Sequence, residues 1–258
     1  SFAADAYNAG TKHPAHSHDA LHLSVVLSGR IAETVGKTTE HAGALSVVAK
    51  DSGVVHADDF GSAGARMARL ELPRGTIAAL IDDPSRSSGW RWTHDLRIAN
   101  PFLRLVQRSK NGMSSFESDD PDLVDLLAAF TARPITVSRG TPPAWLQHTV
   151  NELRETWNPD LTVTHVARGA GVHPVYLARC FRRWFGLGVG EELRRLRLQS
   201  AALALTELDT TVSSVAHASG FADEPHLCRD FGQAAGITPG RYRALIRSLG
   251  YHRRGRSQ

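Results

Sequence analysis

The chain has 258 residues, of which 41% are hydrophobic and 22% charged, and its formal net charge is +4. This composition is typical of a soluble globular protein of one or two domains and excludes disordered and fibrous classes. No apolar run approaches the ~20 residues that cross a bilayer, and the first residues lack the pattern of a secretory signal. The only cysteines are Cys180 and Cys228. We therefore expect a reducing, cytoplasmic location and no membrane contact.

Residues 21–72 read as short β-strands with glycines between them. The runs are LHLSVVLSG, RIAETVG, ALSVVA, GVVHA and ARMARLEL, and the glycines are Gly29, Gly36, Gly43, Gly53 and Gly61. Closely spaced strands of this kind predict a β-sandwich or a small barrel.

Three histidines, His16, His18 and His22, lie at the start of this β region, and His56 lies in its fourth run. Alternate residues of a strand share a face, so we expect His16, His18 and His22 to point the same way. Imidazole ligands suit Zn, Fe, Ni or Cu. His13 and His41 are further candidates that nothing in the sequence places in the same shell.

The spacing of these histidines resembles the motifs of the cupin superfamily. Gly10, His16-x-His18, His22 and Gly29 match its first motif, with His22 in place of the usual acidic ligand. The run Gly53 to His56 resembles the second motif without the expected proline. The resemblance implies a cupin-like β-barrel that binds a divalent transition metal in its mouth, with His16, His18, His22 and His56 as the predicted ligands. Two alternatives stay open: a metal-free pocket for an organic effector, and a purely structural role for the histidines.

The hydrophobic pattern becomes helical from about Trp90 onward. Leucines and a phenylalanine recur at i, i+3, i+4 and i+7 within residues 123–130 (Leu123, Leu126, Leu127 and Phe130). This stripe predicts either ordinary core packing or a dimer surface. Residues 131–143 are rich in Pro, Thr, Ser and Gly and predict a linker. We therefore divide the chain into a first domain at 1–130 with trailing helices, a linker at 131–143 and a helical domain at 144–258.

Positive charge is concentrated in the second half of the chain. Residues 1–140 hold 15 basic and 16 acidic side chains, whereas residues 141–258 hold 15 basic and 10 acidic ones. Every basic residue of the second half is arginine, which contacts phosphate and guanine well because its fork is planar and multidentate. The asymmetry favours a nucleic-acid partner for this half.

Two helix-turn-helix patterns occupy residues 161–186 and 211–236. Each has an apolar first helix, a turn glycine, a proline near the start of the second helix, and two apolar residues four positions apart. The glycines and prolines are Gly171, Pro174, Gly220 and Pro225, and the apolar pairs are Leu177 with Phe181 and Leu227 with Phe231. Between the units, EELRRLRLQSAALALTEL predicts one long amphipathic helix that fixes their separation.

Residues 145–247 resemble the DNA-binding domain of the AraC/XylS family of bacterial transcription regulators. The motifs that carry the resemblance are VYLARCF, RLRLQSAALAL, VSSVAHASGF and GITPGRYR. The resemblance implies that the second helix of each unit enters a major groove, about one DNA turn apart on one face of the duplex. The implied contact positions are Val175, Ala178, Arg179, Arg182 and Arg183 in the first unit and Glu224, Cys228 and Arg229 in the second.

The first unit is expected to contribute more affinity than the second. Arg179 is the strongest candidate for a guanine contact, whereas Arg182 and Arg183 suit phosphates. Three acids crowd the second helix of the second unit: Asp223, Glu224 and Asp230. Negative charge near phosphates weakens binding, although Asp223 also suits a helix-capping role.

The sequence thus predicts an α+β two-domain protein, with a cupin-like β-barrel and helices followed by an all-α tandem helix-turn-helix domain. The predicted function is regulation of transcription, not enzymatic catalysis. Expected partners are double-stranded promoter DNA, a small-molecule or metal effector, a second copy in a homodimer through the helices after Trp90, and RNA polymerase if the protein is an activator. The alternative is a cupin-type metalloenzyme whose helical half is an interaction module.

Overall fold

Strands dominate the beginning of the chain in the computed structural model, which describes residues 1–73, 89–112, 120–131, 141–207 and 209–254. The strands of this part are β1 (Phe2–Tyr7), β2 (Lys12–His16), β3 (Leu21–Val35), β4 (Thr38–Gly43), β5 (Val47–Lys50), β6 (His56–Asp59), β7 (Ala65–Leu72) and β8 (Trp90–Thr93). A short strand near the end of the described chain, β9 (His252–Arg254), pairs in parallel with β1.

The sheet is organised around β3, its longest strand. Neighbouring strands follow the order β2, β6, β3, β7, β1, and all pairings among β1–β8 are antiparallel. The first half of β3 pairs with β5 and β7, and its second half pairs with β4 and β6. The predicted N-terminal β domain is confirmed, and its relation to cupins stays a prediction.

Gly29 lies inside β3, although the sequence pattern predicts a break there. Its φ is +81°, and a Cβ at this position would lie 2.0 Å from the carbonyl oxygen of Gly64. The glycine therefore permits the close approach of two backbone segments where β3 changes partners.

Strands β1, β2, β8 and β9 lie outside the predicted β region of residues 21–72. β8 covers Trp90–Thr93, where the pattern predicts the start of helix, and it pairs with β5. Helical structure begins only at Leu96, after Asp95 caps the helix by accepting from the backbone N–H of Arg97. The four residues of β8 form a strand because they pair with β5, and the local hydrophobic pattern contains no signal of such a long-range pairing.

The described helices are α1 (Leu96–Lys110), α2 (Pro121–Thr131), α3 (Ala144–Glu155), α4 (Val163–Gly169), α5 (Pro174–Phe185), α6 (Val189–Ala204), α7 (Val212–Ala218), α8 (Glu224–Ala235) and α9 (Pro239–Ser248). None of them is long and apolar enough to cross a bilayer. The predicted linker at 131–143 falls mostly on residues 132–140, outside the described residues, and α3 begins after Pro143.

The apolar stripe of α2 is buried within the chain. Leu123, Leu126, Leu127 and Phe130 are each at most 6% exposed and join the main core with α1. The core interpretation of this stripe is therefore confirmed, and the stripe is not available as a dimer surface. Dimerisation itself stays a prediction.

The helical half divides between two cores. Helices α3, α4 and α5 and the start of α6 form a separate core around Leu177 and Phe181. Helices α7, α8 and α9 share the main core with the sheet and α1. Two contacts join these helices to the sheet and to α1. The buried Tyr242 hydroxyl donates to the carbonyl oxygen of Leu27, and Asn100 lies against Gly236. The first helix-turn-helix unit thus has its own core, whereas the second is joined to the sheet.

Candidate nucleic-acid interface and histidine cluster

The two helix-turn-helix units share the same local design. In each, a threonine caps a seven-residue helix: Thr162 accepts from the N–H of His165, and Thr211 accepts from that of Ser214. Gly171 and Gly220 adopt φ of +66° and +77° in the turns, a conformation that glycine reaches without a steric cost. A twelve-residue helix follows with proline in its first turn and ends at a left-handed glycine. Because the same turn glycine and helix-starting proline recur in both units, the sequence pattern predicted the position of each.

Helix α5 buries one face and exposes the other. Leu177, Cys180 and Phe181 face the core of the first unit. Of the predicted contact residues, Val175, Arg179, Arg182 and Arg183 are exposed and Ala178 is half-buried. Val175 and its neighbour Tyr176 are 60% and 46% exposed. Two large apolar side chains at the start of an arginine-rich helix suit contact with a partner.

Helix α8 presents a more mixed surface. Glu224 and Arg229 are exposed, and Cys228 is half-buried. Asp223 caps the helix by accepting from the N–H of His226 at 2.7 Å, which is the capping role expected of it. Asp230 accepts from Arg194 at 2.7 Å, so its charge is compensated. Only Glu224 among the three acids is therefore neither a cap nor ion-paired to an arginine in the described residues.

The helix between the units, α6, contacts both of them. Arg194 donates to Asp230 and Gln233 of α8, and Arg197 donates to the carbonyl oxygen of Leu161, just before α4. A rigid helix with contacts to both units fixes their spacing, which is the role predicted for it. The sequence did not indicate Arg194, since its partners lie 36 and 39 residues away.

Three histidines meet at one edge of the sheet. The ring nitrogens available as ligands on His16, His18 and His56 lie within 4.8 Å of one another. The ring centroids are 4.2 Å apart for His16 and His56 and 5.1 Å apart for His18 and His56. Three of the four predicted ligands therefore converge.

Backbone carbonyls fix the tautomers of two of these rings. The Nδ1 atom of His16 lies 2.9 Å from the carbonyl oxygen of Pro14, and that of His56 lies 3.0 Å from the carbonyl oxygen of Val54. A carbonyl can only accept, so Nδ1 carries the proton and Nε2 keeps its lone pair. The Nε2 atom of His56 is buried and has no hydrogen-bond partner among the described residues. This is the donor arrangement that a metal ion requires.

The surroundings keep the His18 and His56 rings neutral. Burial and then the nearby His22 lower the pKa of His18 to about 3. Burial and then Lys50 lower the pKa of His56 to about 4. Neutral imidazole is the form that ligates metals.

His22 departs from the predicted set of four. Its ring lies 4.1 Å from that of His18, but its Nε2 is 3.5 Å from Oε1 of Glu71. The register places His22 directly opposite Glu71 on β7, so the imidazole lies between that carboxylate and the His18 ring, and it does not join the group of three ligand atoms within 4.8 Å. The alternation argument also fails, because β2 ends at His16 and residues 17–20 are not strand.

Asp58 is a ligand candidate that the sequence analysis missed. It lies two residues after His56 on the buried side of β6, and it forms alternative clusters with His13 and His16 or with Glu33 and His56. Burial raises the pKa of Asp58 to about 6. The charge of Lys50 opposes this shift, and the charge of Glu33 adds to it. The signal in the sequence was the run HADD, in which His56 and Asp58 are two residues apart and therefore share one face of the strand.

A buried ion pair lies beside the histidines. Glu33 is fully buried and accepts from Lys50 and from the indole N–H groups of Trp90 and Trp92, the latter at 2.7 Å. Burial raises the pKa of Glu33, but the charge and hydrogen bond of Lys50 outweigh it and hold that pKa below its usual range. The network ties β8 to β3 and was not predicted.

Comparison with known proteins finds a family match within the helical half. Residues 146–245 match the family described as "Helix-turn-helix domain". The uncharacterized HTH-type transcriptional regulator YijO of Escherichia coli is 35% identical over 96 residues, which are 37% of this chain and 34% of that protein. The HTH-type transcriptional regulator MtrA of Neisseria gonorrhoeae is 30% identical over 167 residues, 57% of this chain and 54% of that protein.

Two further similarities each cover less than half of the chain. A Streptomyces lividans protein whose name calls it an AraC-like transcription regulator is 38% identical over 32% of this chain and 27% of its own length. The solved C-terminal domain of AraT, a response regulator from Geobacillus stearothermophilus, is 25% identical over 42% of this chain and 88% of that domain, with a TM-score of 0.37. The chain spans between about a quarter and a half of the curated relatives named here.

Proposed function

We propose that this chain, whose residues 146–245 form a helix-turn-helix domain of the AraC type, is a sequence-specific DNA-binding regulator of transcription. The observation that carries the proposal is the repeated unit: two exposed twelve-residue helices, each behind a capped seven-residue helix, joined by α6. A chain that presents two such helices can contact two successive major-groove segments of one duplex.

Charge supports the same proposal. The exposed face of α5 carries Arg179, Arg182 and Arg183 without an acidic residue on that helix. Arginines on one helix face neutralise phosphates and bind guanine edges, so affinity should fall steeply as salt rises. A helical pair that served only for packing would not need this cationic surface.

The direct test is selection of bound duplexes from a randomised library by the full chain. We expect recovery of a sequence-specific site whose affinity exceeds that for unrelated duplex by at least about 10³-fold. Recovery of no enriched sequence, at low salt as well as at physiological salt, would contradict the proposal.

We further propose that a divalent transition metal, or a small molecule in its place, controls DNA binding through the histidine cluster. His16 and His56 would hold the ion through Nε2 and His18 through a ring nitrogen, and Zn, Fe, Ni and Cu all accept such ligands. The unpartnered, buried Nε2 of His56 supports this fit. The proposal assigns no catalysis to this cluster. A homodimer, and RNA polymerase as a partner in activation, remain part of the proposal.

Metal content provides a separate prediction. Protein purified without added metal should contain close to one equivalent by elemental analysis, and His16→Ala/His18→Ala should contain much less. His41→Ala is the matched control, because His41 is exposed and outside the three-histidine cluster. Equal and negligible metal in all three proteins would exclude resident metal and leave the small-molecule alternative.

A further inference from the structure

A cavity of about 350 Å³ lies between the sheet and the helix-turn-helix domain, away from the histidine cluster. Strands β3 and β4 and the turn after β6 form one wall, and α3 and α6 form the other. Apolar lining comes from side chains such as Ile31, Phe60 and Leu196. A cavity of this size between two domains is a common place for a small ligand.

Three arginines line this cavity: Arg30 from β3, Arg154 from α3 and Arg195 from α6. Arg195 donates twice to buried Glu192, at 2.8 and 2.5 Å, and Arg154 approaches the same carboxylate at 3.4 Å. One carboxylate therefore serves two arginines. This sharing leaves the arginine group with an excess of positive charge.

Arg30 is the arginine without an acidic partner. Its Nη1 donates to the carbonyl oxygen of Arg154 at 2.5 Å, and no carboxylate in the described part of the chain lies within ion-pairing distance of it. Burial and then the charge of Arg195 lower the pKa of Arg30. A guanidinium crowded by another guanidinium is stabilised by an added anion.

Two carboxylates also line the cavity, and they must be set against the arginines. Asp59 is paired with Lys12 at 2.8 Å, so its charge is compensated. Glu155 and Arg30 are both exposed to solvent, so water and salt screen the two charges alike. With Asp59 compensated by Lys12, three arginines face two carboxylates, Glu155 and Glu192, and the cavity keeps an excess of one positive charge.

A second, independent observation comes from the amide of Gln199. This side chain of α6 is 9% exposed and lines the cavity, and its Nε2 has no hydrogen-bond partner among the described residues. A buried donor without an acceptor is costly. An oxygen atom of a ligand in the cavity would satisfy it.

We propose that this interdomain cavity binds a small organic anion, with its carboxylate or phosphate head on Arg30, Arg195 and Gln199 and an apolar body against Ile31, Phe60 and Leu196. A role of this anion in regulation rests on the proposed function, which is control of DNA binding. An occupant would touch the sheet and α6 together, and α6 also holds α8 through Arg194. The anion thus links the two domains at the helix that sets the spacing of the DNA-contacting units.

The test measures binding to the full chain by calorimetry with three probes of equal chain length: sodium hexanoate, hexyl phosphate and hexanol. We expect saturable binding of at least one anion and at least tenfold weaker binding of hexanol. A carboxylate source and a phosphate source are distinguished by which of the two anions binds more tightly. Absence of saturable binding by both anions, or equal binding of hexanol, would overturn the proposal.

Variants locate the site. Arg30→Gln should weaken anion binding at least tenfold, whereas Arg97→Gln should not, because Arg97 lies on α1 with its side chain exposed and paired to Asp95. If Arg30→Gln does not fold, Ser62→Trp replaces it, since Ser62 is an exposed rim residue whose larger side chain would fill the cavity. Anion binding to either folded variant as tight as to the wild type would reject this site.

Regulation is measured separately from binding. Adding the anion should change the affinity of the wild-type chain for its selected duplex and leave that of Ser62→Trp unchanged. Anion binding without any DNA binding would leave the cavity site standing and contradict the proposed function. DNA binding without anion binding would reject the cavity site alone.

Discussion

Replacing Glu33 with glutamine is expected to lower the free energy of unfolding by about 3 to 5 kcal/mol, because it leaves the ammonium group of Lys50 buried without a counter-charge. Lys50 is 8% exposed and Glu33 is fully buried. Glutamine keeps the shape of the side chain and can still accept from Trp90 and Trp92. Urea unfolding in the presence of EDTA measures the loss without a contribution from bound metal.

The double variant Glu33→Gln/Lys50→Met is the control for this effect. Neutralising both partners removes the uncompensated charge, so the double variant should be more stable than Glu33→Gln alone. A double variant at least as unstable as the single one would mean that the loss came from packing or from the tryptophan hydrogen bonds. The ion-pair account would then be wrong.

Replacing Arg179 with alanine is expected to weaken binding to the selected duplex by about 5- to 150-fold, which corresponds to about 1 to 3 kcal/mol for a bidentate guanine contact. The side chain is exposed on α5 and no described carboxylate pairs with it. Its removal should therefore leave the fold and the metal content unchanged. Titration of the labelled duplex, with elemental analysis of the same preparation, measures both.

Two matched variants define what the loss means. Arg229→Ala, at the corresponding surface of α8, should cost less, because Glu224 beside it opposes phosphate contact. Arg97→Ala removes an equal charge outside the helix-turn-helix domain and should change affinity little. Wild-type affinity in Arg179→Ala would reject the groove assignment of α5. Lost metal together with retained DNA binding would instead point to the metalloenzyme alternative.

The helix-turn-helix units could be predicted from sequence because each is specified locally. A threonine cap, a glycine that must adopt positive φ, a proline in the first helical turn and two apolar residues four apart all lie within 26 residues. The same set recurs in the second unit. Each signal acts over one or two turns of chain, so no tertiary contact was needed to recognise it.

The sheet was less predictable because its strands depend on distant partners. Gly29 reads as a strand end, yet it lies within β3 where the backbone passes close to Gly64. Trp90–Thr93 is too short to show a period, and its pairing with β5 makes it a strand. For the same reason the sequence could not show that His22, predicted as a metal ligand, lies between Glu71 of the neighbouring strand and the His18 ring.

The buried charges were missed although the sequence held a signal for one of them. Glu33 lies two residues after Ile31 in the strand, and alternation places both on the inward side. An acid at an inward position predicts a buried partner. The identity of that partner, Lys50, depends on tertiary packing alone. The same holds for the electrostatic interaction of Arg30 with Arg195 across the domain junction.

Footprinting of the selected duplex by hydroxyl radicals tests the central claim most directly, since the claim is that one chain contacts two neighbouring groove segments. The account predicts two protected segments about one helical turn apart on one face of the duplex. Arg179→Ala should weaken protection of one segment more than the other, and Arg229→Ala should do the reverse. A single protected segment, or no protection under conditions where the chain is folded, would contradict the account.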